Sequence, residues 1–220
     1  MVARARSASA RRALSRRALL IAAGLWPAAA SAQKQQKRAP RPPQPSLSAA
    51  RTIMAGAPLG VFLSNVPQAA RLAIARPDDP ASKAIVVVEP KNAVPALPTP
   101  GAVGNYELRL MVEKDGAPII LLRQSLVTTE PSATLAAPER ISRSQGLPVR
   151  GIGPNGEQDR VMLVTPDAPA DTEGPRFFPA ENVEAMLEVP DQPGVYELRY
   201  VMHAPLAEHR ILARRPVRVE

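Results

Sequence analysis

GNYELRLMV at residues 104–112 and GVYELRYVM at residues 194–202 share the core Gly-x-Tyr-Glu-Leu-Arg, ninety residues apart in a chain of 220. The likeness extends outward from both. LPTPG (97–101) parallels VPDQPG (189–194), and RLAIARPDDP (71–80) parallels RVMLVTPDAP (160–169). Downstream, IILLR (119–123) parallels RILAR (210–214), with one extra residue in the second loop. A period this long exceeds that of solenoid repeats and suits one sandwich domain of about 100 residues. The chain reads as two copies of one domain.

Beyond residue 46 short apolar runs alternate with turn-formers, and 26 prolines are spread along the chain. That habit predicts an all-β fold, two tandem immunoglobulin-like β-sandwiches spanning 47–130 and 131–220, with the boundary in Thr129-Glu130-Pro131-Ser132. Strands are expected at 60–66, 71–75, 84–89, 106–113 and 118–128, then at 133–138, 159–165, 183–189, 196–203 and 210–220. Asp115-Gly116, Pro154-Asn155-Gly156 and Asp191-Gln192-Pro193-Gly194 supply turns.

Strand alternation puts Tyr106, Leu108 and Leu110 on one face and Glu107, Arg109 and Met111 on the other. The second copy divides likewise, with Tyr196, Leu198 and Tyr200 against Glu197, Arg199 and Val201. A Pro/Gly turn just before a tyrosine fits a tyrosine corner, whose hydroxyl bonds the backbone upstream. Leu108 and Leu198 then stand where the second cysteine of a disulfide would be. The Glu–Arg pairs are expected to be exposed strand-face partners, each contributing under ~1 kcal/mol.

The second half resembles the bacterial Ig-like repeat of envelope proteins, including repeats that follow von Willebrand factor A domains. The residues that carry the resemblance are GPNGEQDRVMLVTPDAP (153–169), MLEVPDQPGVYELRYV (186–201) and LARRPVRV (212–219). The first half matches through GNYELRLMV and its flanking strands. Such repeats often carry a tryptophan shortly before Gly-Pro-x-Asn, and Gly151 stands there, so the core is expected to be packed differently at that point. The resemblance implies an accessory or interaction domain and brings no catalytic residue.

At the N-terminus, Arg4, Arg6, Arg11, Arg12, Arg16 and Arg17 precede the apolar run ALLIAAGLW and the small residues Ala30-Ser31-Ala32. This predicts a secretory signal over 1–32, cleaved after Ala32, and therefore a periplasmic or secreted protein. Arg16-Arg17 fits a twin-arginine signal, and the general secretory route remains an alternative. Residues 33–46 form a basic, proline-rich linker. Its Lys34, Lys37, Arg38 and Arg41 could add a weak attraction to an anionic surface. The whole chain has a net charge of +8, but residues 46–220 hold 18 basic and 20 acidic side chains, a net of −2, which argues against nucleic acid as a partner. No cysteine is present, so stability must come from packing.

The sequence offers little for catalysis. It contains no P-loop, Gly-x-Ser-x-Gly or His-Glu-x-x-His. His203 and His209, with Glu208 between them, read as solvated hairpin residues. Residues 166–175 carry Asp167, Asp171 and Glu173, which could offer oxygens to calcium but lack the spacing of a known loop. Arg176, Phe177 and Phe178 form a possible contact point beside that loop. The expectation is a non-enzymatic, cofactor-free protein that binds another envelope protein. A pilus-type chaperone and a polysaccharide-binding module stand as alternatives.

Overall fold

The computed structural model describes residues 43–220; the expected signal and the linker cations Lys34, Lys37, Arg38 and Arg41 lie outside the described residues. Every regular element within them is a strand. The first half contributes β1 (Ser46–Ala49), β2 (Thr52–Met54), β3 (Leu59–Ser64), β4 (Arg71–Ala75), β5 (Val86–Val88), β6 (Ala96–Leu97), β7 (Gly104–Lys114) and β8 (Ala117–Thr129). The second contributes β9 (Thr134–Ala136), β10 (Arg140–Ile141), β11 (Leu147–Ile152), β12 (Arg160–Val164), β13 (Arg176–Phe177), β14 (Glu184–Leu187), β15 (Gly194–Ala204) and β16 (Ala207–Val219).

The two sets correspond strand for strand. The three-stranded sheets run β1-β3-β6 and β14-β11-β9, and the five-stranded sheets run β2-β8-β7-β4-β5 and β10-β16-β15-β12-β13. Even the irregular edge is repeated: β2 pairs parallel to β8 and β10 parallel to β16, while the other pairings are antiparallel. Each copy is an immunoglobulin-like sandwich.

Periodicity explains which strands could be read from sequence. β3 and β11 alternate strictly between buried and exposed, so one face meets the core and the other meets water. The longest strands, β7 and β8 or β15 and β16, form the central hairpins. The segments 46–49, 52–54, 96–97, 140–141 and 176–177 are too short to show a period, and Pro148 and Gly151 disguise β11. Ser46, the last residue of the expected linker, opens β1 opposite Ser64.

Each sandwich encloses its own core. Leu59, Val61, Leu72, Ile74, Leu108, Leu110 and Leu126 fill the first. Leu147, Val149, Val161, Leu163, Leu187, Leu198 and Tyr200 fill the second. At about 25 cal/mol per Å² of apolar surface removed from water, such packing is the main source of stability in a chain without disulfides. Gly151 shows how the second core closes where a tryptophan was absent. A Cβ built there would lie 2.4 Å from Val161 Cγ2, so Val161 already occupies the space.

Two alanine substitutions should therefore differ sharply. Gly151→Ala is expected to lower the urea midpoint by the equivalent of about 1–3 kcal/mol, because a packed core must shift. Gly60→Ala meets nothing within 4 Å and should leave the midpoint unchanged or slightly raised.

Candidate functional site

The repeated Tyr-Glu-Leu-Arg lies on β7 and β15, at the centre of each five-stranded sheet. Each tyrosine hydroxyl donates to the carbonyl four residues upstream, Tyr106 to Ala102 at 3.2 Å and Tyr196 to Gln192 at 3.0 Å. Leu108 and Leu198 are fully buried two positions on. The arginines depart from the sequence expectation. Arg109 and Arg199 are not exposed strand-face partners: they are 0% and 1% exposed, the largest fully buried side chains in the described residues.

The loop after β4 and its counterpart after β12 cause that burial. Arg109 Nη2 donates to the carbonyls of Arg76 at 2.9 Å and Asp79 at 2.8 Å, and Nη1 donates to Pro80 at 3.2 Å. Its Nε donates to Glu107 at 3.0 Å. In the second copy Arg199 Nη2 reaches the Pro166 carbonyl, Nη1 reaches that of Ala168, and Nε pairs with Glu197. Thus two repeated segments that are distant in sequence, Tyr-Glu-Leu-Arg and Pro-Asp-x-Pro, form one device. A guanidinium holds a proline-bounded loop by its carbonyls, which a planar five-donor group can satisfy and an ammonium cannot.

Strand register adds a further requirement. Arg109 lies directly opposite Arg123, and Arg199 opposite Arg214, which alone would be repulsive. Glu107 Oε2 bridges Arg109 and Arg123, the latter at 2.8 Å, and Glu197 Oε1 bridges Arg199 and Arg214 in the same way. In the first loop, a hydrogen bond from Lys83, 2.8 Å away, also holds the Asp79 carboxyl below its ordinary pKa. The second loop covers Met162, Val164 and Val201 on the outer face of its sheet. It is the acidic stretch 166–175, and its Pro166 and Ala168 carbonyls already accept from Arg199.

The copies diverge where they meet. The hairpin after β7 turns at Asp115-Gly116, both at positive φ, whereas the hairpin after β15 turns at Pro205-Leu206, with Leu206 at φ 66°. A non-glycine residue there stores strain. That second hairpin abuts the first sandwich: the Gly101 amide donates to the Pro205 carbonyl at 2.8 Å. Two glycines allow the approach. A Cβ on Gly101 would lie 2.7 Å from Ala207 Cβ, and one on Gly56 would lie 2.5 Å from Met202 Sδ. On the rim, Arg210 pairs with Glu130.

Behind this joint lies a buried polar cluster that the first copy lacks. Asp159 and Tyr200 are both fully buried, where the aligned positions of the first copy are Ala70 and Leu110. The Tyr200 hydroxyl donates to Asp159 Oδ2 at 2.8 Å and accepts from the Asn155 amide at 2.9 Å. The Gly156 amide donates to the same Oδ2 at 3.0 Å, and the His203 amide to Oδ1 at 2.9 Å. One carboxylate thus ties the 153–159 loop to the hairpin that touches the first sandwich. Burial pushes the Asp159 carboxyl up, opposed by those three donors. Burial and the neighbouring carboxylate push the Tyr200 hydroxyl up as well.

His203 lies on β15 and His209 on β16, both half-buried, with ring centroids 5.0 Å apart and planes tilted by 41°, so neither is a fully solvated loop residue. Among the described residues no group of three or more His, Cys, Asp or Glu could hold a metal ion. Arg176 pairs with Glu173, Phe177 packs on the second core, and Phe178 is 36% exposed. Phe62, which no sequence motif singles out, is 63% exposed on β3. By the register of β3 and β6 it faces Val94, which is 50% exposed. The equivalent positions of the second copy hold the Arg150–Glu184 ion pair, at 2.9 Å.

No family model matches the chain, and no curated protein matches it. Among solved structures it is similar to the three N-terminal domains of the bacteriophage RB49 Highly Immunogenic Outer Capsid protein, at 11% identity over 80% of this chain and 59% of that one, with a TM-score of 0.31. It is similar to the chicken CNTN1 FN1–FN3 domains at 6% identity over 79% and 63% of the two chains, with a TM-score of 0.30. It is also similar to the human OSCAR ligand-binding domain at 15% identity over 81% and 96%, with a TM-score of 0.28. The chain spans about three-fifths of the length of the first two.

Two consequences can be measured. Arg109→Lys keeps the charge but not the fork, and is expected to cost about 2–4 kcal/mol and to speed amide exchange in 76–80. Arg123→Ala, at the exposed end of the same bridge, should cost under about 1 kcal/mol. Asp159 sets a pH dependence of definite sign. Its folded-state pKa is raised, so as pH climbs above the ordinary carboxylate range the unfolded chain loses this proton first. The residue's contribution to stability then falls until the folded form has ionised too. Asp159→Asn presents an amide to three donors and destabilises the fold, and the gap between wild type and variant in urea midpoint is expected to narrow as pH rises. Tyr200→Phe removes a donor and should move the Asp159 carboxyl titration, followed by ¹³C NMR, further up.

Proposed function

We propose that this chain is an exported protein of the bacterial envelope that works by binding another envelope protein, and that its sandwiches are Ig-like interaction repeats of the kind its second half resembles. The observation that carries the reading is the Phe62–Val94 pair. Duplicated sheets place the same two positions side by side on the outer face of each three-stranded sheet. One copy fills them with an ion pair suited to water, and the other with a phenylalanine and a valine, 63% and 50% exposed. Exposed aromatic anchors with an apolar neighbour are what protein interfaces bury. The basic segment 33–46 adds a short-range attraction to an anionic surface.

The test is made in intact cells. A photo-crosslinking residue at position 62 should give one stoichiometric adduct with an envelope protein, and the same residue at position 184 should not. The double change Phe62→Arg with Val94→Glu copies the pair already tolerated in the second sandwich, so the fold should stand while the adduct disappears. No adduct at position 62 under several growth conditions would sink the proposal. Export has its own readout: the mature chain should begin at Gln33 and show no tryptophan emission, because Trp26 is the only tryptophan.

A further inference from the structure

A cavity of about 490 Å³ opens at the joint between the two sandwiches. Pro58 and Pro98 of the first sandwich form one wall, and Glu157, His203 and Glu208 of the second form the other. Its volume lies in the range of ligand sites, and domain boundaries are where such sites concentrate. The cavity is built into the joint: a Cβ on Gly156 would lie 3.0 Å from the Gly56 carbonyl, so at this point the two backbones themselves approach. The loop that carries Glu157 is held from behind by Asp159 through the Gly156 amide, and the hairpin that carries Glu208 is held by the same carboxylate through the His203 amide. The wall that the second sandwich contributes is therefore braced before any ligand arrives.

The chemistry of the lining is one-sided. Glu157 and Glu208 bring two formal negative charges, and among the described residues no lysine or arginine lines the cavity. Opposite them stand the exposed rings of Pro58 and Pro98. A ligand that suits both sides has an aliphatic stem and a cationic head. We propose that this cavity binds a lysine side chain presented by an extended segment of a partner protein, its methylenes on the proline wall and its ammonium toward Glu157 and Glu208. The volume leaves room for the residues that flank the lysine. This inference deepens the interaction reading but does not depend on the Phe62 face or on export.

Purified chain and synthetic peptides test it without reference to any cellular partner. The probes are the blocked pentapeptide Ala-Pro-Lys-Pro-Ala, the same peptide with norleucine for lysine, and free spermidine, followed by ¹⁵N NMR and calorimetry. The lysine peptide is expected to bind saturably and move the amides of Gly156, Glu157, Gln158 and His203. The norleucine peptide should bind about tenfold more weakly, the loss expected of two partly exposed ion pairs together. Glu157→Gln with Glu208→Gln should abolish the difference between the peptides, whereas Glu184→Gln, on another face, should leave it intact. Equal binding of the two peptides would overturn the proposal. So would indifference to the double variant, shifts that map away from the joint, or no binding at millimolar peptide. Spermidine matching the lysine peptide in affinity would also overturn it, since the proline wall would then contribute nothing for a peptide.

Discussion

A guanidinium buried beneath a loop is the interaction on which each sandwich depends. Removing a charge from water costs several kcal/mol, and a buried arginine survives only when its donors are matched. Arg109 meets that condition with Glu107 and the carbonyls of Arg76, Asp79 and Pro80, and Arg199 meets it with Glu197 and the carbonyls of Pro166 and Ala168. The dependence is mutual. The loop carbonyls lose the water they would otherwise bind, so they too require the arginine. Once the loop is down, the outer face of the five-stranded sheet is covered, and strands such as β4 and β12 can be apolar on both sides.

This mutual need explains why the two segments stay alike between the copies while much around them has changed. Glutamate two positions before the arginine does more than pair with it. It separates two arginines that strand register sets face to face, so losing it would leave like charges opposed. Tyr-Glu-Leu-Arg is thus a compact instruction: the tyrosine fixes the corner, the leucine enters the core, the arginine fastens the loop and the glutamate neutralises the fastening.

Apart from the Phe62–Val94 face, several of the differences between the copies lie at the joint. Ala70 and Leu110 become Asp159 and Tyr200, an Asp-Gly turn becomes a Pro-Leu turn, and the loop before β12 gains Asn155 and Gly156. Each change has a physical role in docking one sandwich on the other. Asp159 holds loop and hairpin together, the Pro205 carbonyl accepts from Gly101, and Gly56 and Gly101 keep clear the space that Met202 and Ala207 use. The second copy thus carries, in one buried pair and one turn, the residues that meet the first sandwich.

The ninety-residue repeat, the alternation in the long strands and the Asp-Gly turn were legible in the sequence, because they rest on local rules: side-chain period, turn chemistry and self-similarity. The all-β class and the tandem arrangement follow from those alone. The strands of two to four residues were not legible, since they form only where a long neighbour offers its edge. Nor was the fate of the arginines, which local alternation placed at the surface and the descending loop buried. The cleft and the Phe62–Val94 face belong to the same category. They depend on register between strands far apart in sequence, and on two backbones meeting at glycines whose neighbours no local pattern names. The sequence determined what each sandwich is, because a repeat and its periods are properties of the chain; only the tertiary structure decided what the sandwiches present, because burial and contact are properties of what folds over what.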